Sequence, residues 1–202
     1  MLNDVTVFNI RRYLSGNDKI LGEEELHQIL SDFSCDRNPD VERFLKEQAI
    51  EFTKKNQSVT YLVFSNMDAE LVGYFTIAVK PINVSASKFS KTMNRKIARV
   101  SDLDERTDTY TLSAYLIAQL GKNYRNGANE KITGQQLLQA AVDTITKLQY
   151  MAGGMVVFLE AEDNRKLLKF YEEENGFKRF DLREAKAGTD GAHTLVQLLK
   201  VL

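Results

Sequence analysis

Residues 164–177, NRKLLKFYEEENGF, decide how this chain is read. The stretch opens on Asn164, a residue type that caps helix N-termini, and runs through good helix formers. It closes on Gly176, the residue favoured in the left-handed conformation just past a helix end. The pattern predicts a helix over 164–175. On that helix Asn164 and Tyr171 are seven residues apart, about 20° around the axis, so they share a face near Leu168 and can address one ligand. The same residues also have a purely structural reading, with Phe170 and Tyr171 as core aromatics and Asn164 as a helix cap alone.

Upstream, MVVFLEAE (155–162) is an apolar run expected as a buried strand. Before it, the segment from Gly134 places Leu137, Leu138, Ala141, Val142, Ile145 and Leu148 on one helical stripe, ended by Gly153-Gly154. YTLSAYLIAQLGKNY (110–124) has strand composition. From Tyr115 to Phe177 the order is therefore strand, loop, helix, strand, helix. Further out, VTYLVFSN (59–66) and ELVGYFTIAV (70–79) form a hairpin signal around Met67-Asp68-Ala69. Residues 23–33 are expected as a short amphipathic helix, and a second helix starts at Asn38-Pro39-Asp40. FKRFDLR and TLVQLLKVL supply two last strands. The expected fold class is α/β: a mixed, mostly antiparallel sheet flanked by helices, one domain over 1–202, with 1–22 as an N-terminal extension and 81–108 as an insertion.

The junction of loop and helix near residue 134 is an anion site in physical terms. Backbone N–H groups at a helix start lack intrahelical partners, and the helix dipole favours negative charge there. Lys131, Ile132, Thr133, Gly134 and Gln135 surround that start, with glycine permitting close backbone approach. A tight turn with no ligand would use the same residues.

Composition narrows the chemistry. The chain has 202 residues, 43% of them hydrophobic, enough for a full core. Its single cysteine, Cys35, excludes an internal disulfide and is expected as a small buried hydrophobe. With only His27 and His193 as histidines, no metal site is expected. No apolar run reaches the roughly 18 residues of a membrane span, and the first residues do not form a secretory leader, so a cytoplasmic location without membrane partners is expected. Net charge is −1, so any affinity for polyanions must be local. The one basic concentration is KFSKTMNRKIAR, with Lys88, Lys91, Arg95, Lys96 and Arg99, readable as a solvated insertion or as a patch for an anionic partner.

Taken together these motifs resemble the GCN5-related N-acetyltransferases, the GNAT superfamily, over most of the chain. The resemblance implies acetyl-CoA as cosubstrate. It implies that the central strand would bind the pantetheine arm through its backbone at Leu120, Gly121 and Lys122. The family's Q/R-x-x-G-x-G/A pyrophosphate loop corresponds here to Asn129-Glu130-Lys131-Ile132-Thr133-Gly134, departing from the pattern at Asn129 and at Ile132. Asn164 and the run Phe170-Tyr171-Glu172…Gly176-Phe177 match the residues that face the cofactor thiol, which is the most specific part of the match. The N-terminal run FSCDRNPDVERFLKEQAIEFTKKNQSVTYLVFSN looks like the branch that includes acetylating toxins of toxin–antitoxin pairs, with Asp36 where that branch has glycine.

Within this resemblance a neutral amine attacks the thioester directly, a backbone N–H at the splayed end of the central strand stabilises the oxyanion, and Tyr171 protonates the leaving thiolate. Phenol and thiol differ by about 1.5 pK units in their ordinary values. The general base is left among Glu160, Glu162 and a water. The implied acceptor is the primary amine of a small molecule or protein. The toxin branch adds the amino group of charged tRNA as an alternative acceptor and an antitoxin protein as partner. A non-catalytic acyl-CoA-binding module is the third reading, and a homodimer is a further expectation.

Overall fold

The computed structural model describes residues 4–14, 22–185 and 193–202. Element order is β1 (Val5–Asn9), α1 (Arg11–Leu14), α2 (Glu23–Ser31), α3 (Pro39–Arg43), a π turn Phe44–Gln48, α4 (Ala49–Lys54), β2 (Val59–Ser65), β3 (Leu71–Ser85), α5 (Lys91–Ile97), β4 (Leu103–Asp104), β5 (Thr109–Lys122), α6 (Gly134–Ala152), β6 (Val156–Glu162), α7 (Arg165–Lys169), a second π turn Phe170–Glu174, β7 (Lys178–Ala185) and β8 (His193–Val201). The strands neighbour one another in the order β1-β2-β3-β5-β6-β8-β7, with β4 on β5. Pairs β1–β2, β2–β3, β4–β5, β6–β8 and β7–β8 are antiparallel. This is the expected mixed α/β class.

Two compact units share the chain: 1–78 with 117–144, and 79–116 with 145–202. Neither is a continuous stretch, because β3, β5 and α6 each contribute one half to either unit. In the first, Leu26, Leu30, Phe33, Leu45 and Leu62 form a core closed off from solvent. Tyr74 lies inside it and donates its hydroxyl to the Val41 carbonyl at 2.6 Å, which satisfies the one polar atom of a fully buried ring. In the second, Val84, Ile97, Leu112, Ala114, Val156 and Phe158 are packed together.

Two segments of the chain's outline, 1–22 and 81–108, carry regular structure. Residues 1–22 include β1, whose five residues pair with β2 from Val5↔Ser65 to Asn9↔Tyr61, so the segment carries an edge strand; residues 1–3 and 15–21 lie outside the described residues. Residues 81–108 are only partly an added feature. β3 continues through Pro81 to Ser85 and buries Ile82 and Val84, and α5 buries Ile97 completely. The expected helix 23–33 stops at Ser31, and the helix at 164–175 is α7 continued by a π turn.

Candidate active site

The residues singled out from the sequence fall into two sets, one in each unit. The first surrounds the end of β5 and the start of α6. Burial along β5 alternates with Leu112 and Ala114 inside, then Tyr115, Ile117 and Gly121 inside. The phase therefore reverses between Ala114 and Tyr115, the mark of one extra residue in a strand. The reversal lies upstream of Leu120-Gly121-Lys122. Gly121 is a packing glycine. A Cβ there would lie 2.4 Å from Val41 Cγ1 and 3.4 Å from Phe33 Cζ, so only hydrogen fits between β5 and α3. Leu120 and Lys122 are half-buried, and burial, followed by the nearby Arg37 charge, pushes the Lys122 ammonium below its ordinary value.

Asn123, which sequence reasoning passed over, holds this strand end in place. It is 2% exposed, and its side chain completes four hydrogen bonds. Oδ1 accepts from the N–H of Ser34 at 2.9 Å and of Arg125 at 3.1 Å, while Nδ2 donates to the carbonyls of Asp32 at 3.1 Å and Leu71 at 2.8 Å. Arg125 reaches from the following turn to the Ser31 carbonyl and the Asp32 carboxylate, both at 3.1 Å. The β5 end, the α2–α3 loop and β3 are thus one hydrogen-bonded assembly. A cavity of about 270 Å³ lies beside it, lined by Ile29, Phe64, Leu71, Asn123 and Arg125, and by none of the residues expected to hold cofactor.

The loop after it turns at Asn126 and Gly127, both in the left-handed region (φ 50° and 79°), then winds as a 3₁₀ segment to Lys131. Asn129 is half-buried and Ile132 is 2% exposed. Ile132 therefore anchors the loop in the core and can offer a ligand only its backbone. Lys131 is not a free cation: its ammonium is hydrogen-bonded to Asp68 and Glu70, contacts that raise its affinity for the proton, Asp68 first. As a phosphate ligand it would have to leave two carboxylates.

Thr133 caps α6. Its Oγ1 accepts from Gln136 N–H at 3.1 Å while the Gln136 side chain accepts from Thr133 N–H at 2.8 Å, a reciprocal capping box. The spacing Thr-x-x-Gln was the sequence signal for it. The cap satisfies the third N–H of the helix and leaves those of Gly134 and Gln135 with no acceptor among the described residues. Two such donors at the head of a 19-residue helix fit an anionic group, pyrophosphate included.

The second set lies around α7. Asn164 is the N-cap, in extended conformation, its Oδ1 accepting from Lys166 N–H at 2.9 Å and Leu167 N–H at 3.4 Å. It is not on the helix wheel, and Tyr171 sits in the π turn that follows. The 20° shared-face geometry expected from a uniform helix is therefore not what the backbone provides, and the capping reading of Asn164 is realised. Tyr171 packs edge-on against Phe170 (ring centroids 5.0 Å apart) and Phe177 (5.9 Å). Its hydroxyl has no hydrogen-bond partner among the described residues, and burial alone pushes the phenol up to about 12. Below, Glu172 forms a two-pronged pair with Arg179 at 2.8 and 2.9 Å. A π turn within a helix costs backbone geometry and recurs at functional sites.

Of the candidate bases, Glu160 accepts two hydrogen bonds from Arg183, at 3.0 and 2.8 Å, and one from Gln197 at 2.8 Å, so its oxygens are engaged. Glu162 is exposed. Cys35 is buried as expected, its thiol pushed up by desolvation. No cluster of metal-ligating side chains occurs among the described residues.

The mixed sheet with its central strand, capped crossover helix and tyrosine-bearing helix defines a GNAT-type fold, and solved structures share it. The toxin AtaT, complexed with acetyl-methionyl-tRNAfMet, is 16% identical over 96% of this chain and 94% of its own, with a TM-score of 0.61. A Tyr→Phe variant of KacT is 16% identical over 98% and 95%, with a TM-score of 0.62. A Tyr→Phe variant of AtaT, bound to the C-terminus of the antitoxin AtaR and acetyl-CoA, is 13% identical over 96% and 94%, with a TM-score of 0.52. No protein-family model and no curated protein sequence matches the chain.

Proposed function

We propose that the chain is an acetyl-CoA-dependent N-acetyltransferase that transfers the acetyl group to a primary amine by direct attack. The observation that carries this reading is Tyr171: a phenol wrapped by Phe170 and Phe177, held neutral by burial, on a π turn in a fold shared with a toxin solved with acetyl-CoA. Acetyl-CoA, when bound, supplies an acyl thioester whose sulfur needs a proton as it leaves. The N–H groups of Gly134 and Gln135 would hold its pyrophosphate, and the backbone of Leu120–Lys122 its pantetheine arm. Tyr171 keeps the proton on its Oη throughout the physiological range and gives it up only as negative charge develops beside it. The exposed Glu162 and solvent are the routes by which the amine loses its own proton, since Glu160 is tied to Arg183.

A second reading, acetylation of the amino group of aminoacyl-tRNA, is favoured by the likeness to AtaT solved with acetyl-methionyl-tRNAfMet and by the unpaired cations on α5. In that case a cytoplasmic site of action and an antitoxin partner follow. CoA release in the presence of a panel of amines and of charged tRNA separates the two acceptors. Growth arrest on expression, relieved by Tyr171→Phe, is expected for the tRNA reading; harmless expression of active protein would sink it. Calorimetry with acetyl-CoA tests both, and absence of binding at millimolar cofactor refutes them together, whereas binding without turnover on any amine would leave an acyl-CoA-binding module.

A further inference from the structure

From Leu71 to Ser101 the sequence contains no acidic residue. Within that run Lys88, Lys91, Arg95, Lys96 and Arg99 are all exposed, and none forms an ion pair with any described residue. The rest of the chain, without these five, carries −6 against a total of −1. The stretch that follows, Asp102–Asp108, carries four acidic residues; none of them forms an ion pair with these five cations, and Asp104 pairs with Arg106 at 3.7 Å.

The segment is built, not loose. Ile97 is fully buried, Ser90 caps α5 by accepting from Met93 N–H at 3.2 Å, and Asn94 Nδ2 donates to the Ala86 carbonyl at 3.0 Å. Lys91 and Arg95 lie one turn apart on α5, about 40° apart around its axis and on the side away from Ile97, with Lys96 flanking; Lys88 ends the 3₁₀ turn Ala86–Lys88 before the helix, and Arg99 lies in the turn after it. Lys91 and Arg95 are therefore about 6 Å apart along the axis, and Lys88 and Arg99 extend the basic run from either end. Phe89 is turned inward toward Tyr110, at 6.5 Å between rings. Val100 and Leu103 are the large apolar side chains exposed in this part of the chain, among the described residues. A surface that offers charge in a row and almost no apolar anchor suits a phosphate backbone better than a peptide, whose affinity comes from buried aromatic and aliphatic anchors.

We propose that this face of α5 is a docking surface for the phosphate backbone of RNA, holding the acceptor of the aminoacyl-tRNA reading, on which the proposal rests. Contacts of this kind position the polymer without reading its sequence.

The test uses the full-length protein without acetyl-CoA and a mixed pool of uncharged tRNA, with anisotropy read from 50 to 200 mM KCl. Four phosphate contacts predict that wild-type affinity falls by about 100-fold over that range. The variant with Lys88, Lys91, Arg95 and Arg99 all replaced by Gln is expected to bind at least about 10-fold more weakly at 50 mM and to lose most of the salt dependence. The pair Lys91→Gln/Arg95→Gln, milder for folding, should remove about half of the slope. Unchanged melting temperatures show that the loss is not unfolding. Equal affinity and slope in wild type and variants overturn the surface, as does equal competition by poly-glutamate, which would point to an acidic protein partner. Because the binding assay contains no cofactor, tRNA binding that these substitutions abolish, with no acetyl transfer to charged tRNA, refutes the enzymatic reading alone. Acetylation of charged tRNA with an unaltered salt slope in the variants refutes the surface alone.

Discussion

Replacing Asn123 probes how the β5 end is held. Its side chain is 2% exposed and satisfies two backbone donors and two backbone acceptors. Asn123→Ala removes all four bonds and leaves Ser34 N–H and the Asp32 and Leu71 carbonyls short of these partners. At about 0.5–1.5 kcal/mol for each bond the loss is about 4 kcal/mol, a large part of a domain's 5–15 kcal/mol. For a chain of this size that lowers the melting temperature by about 8–16 °C. Acetyl-CoA affinity is expected to fall as well, because the strand end and the turn to Arg125 lose their shared anchor.

Asn123→Asp sharpens the test, since it keeps the shape and exchanges the donating Nδ2 for an oxygen that faces two carbonyl oxygens. The carboxyl then prefers its proton in the folded state, so its folded pKa rises above the unfolded value of about 3.9. A raised folded value means that the folded state binds the proton more tightly. The penalty relative to wild type is therefore smallest below about pH 4, grows as pH rises, and is complete above the folded pKa. Denaturant midpoints for wild type, Ala and Asp variants at pH 4, 5.5 and 7 read this directly, and comparison at each pH cancels the other carboxylates. An Ala variant within about 1 kcal/mol of wild type, or an Asp deficit that does not change with pH, would refute the four-bond account.

Gly121→Ala is expected to cost about 1–3 kcal/mol by overpacking, because its Cβ would lie 2.4 Å from Val41 Cγ1; Val41→Ala in the same chain should recover part of that in a double-mutant cycle of denaturant midpoints. Tyr171→Phe should lower the acetyl-transfer rate about 10²–10⁴-fold in steady-state kinetics, with acetyl-CoA affinity by calorimetry kept within about twofold. Its phenol, about 12 in the folded chain against 10 ordinarily, contributes stability that is present below pH 10 and lost as pH climbs from 10 to 12. The stability difference between wild type and Tyr171→Phe should accordingly shift by about 2–3 kcal/mol across that window in alkaline denaturation curves.

Elements with long internal periodicity were legible. The stripe from Leu137 to Leu148 predicted α6 with its glycine-ended C-terminus, and Gly153 is indeed in the left-handed region at φ 78°. β1 was not legible, because five residues carry too little alternation and its register comes from β2, more than fifty residues away. The strand was expected over 70–79, yet β3 runs on through Pro81 to Ser85, since an exposed position can do without the N–H. The two π turns left no trace in composition: they are a choice of backbone partner, i+5 over i+4, made under packing. That choice removed the 20° face argument for Asn164 and Tyr171. The engagement of Lys131 was not legible, because its partners Asp68 and Glu70 are distant in sequence. Only Thr133-x-x-Gln136 was a readable signal left unread.

The altered setting of Tyr171 changes the proton chemistry expected of it. With ordinary values the phenol lies about 1.5 units above a thiol, a modest uphill transfer. At about 12 the gap to an ordinary thiol near 8.5 widens to about 3.5 units, close to 5 kcal/mol. A free-standing transfer to a solvated thiolate would be slow on that basis. Burial, however, raises Tyr171 without the help of any charged neighbour, and the same apolar surroundings act on any sulfur anion formed against the ring. Desolvation would then raise both partners and narrow the gap toward its ordinary size. On this reasoning the apolar setting of Tyr171, with Phe170 and Phe177 packed edge-on against it, is what would make a weak acid adequate for the proposed transfer.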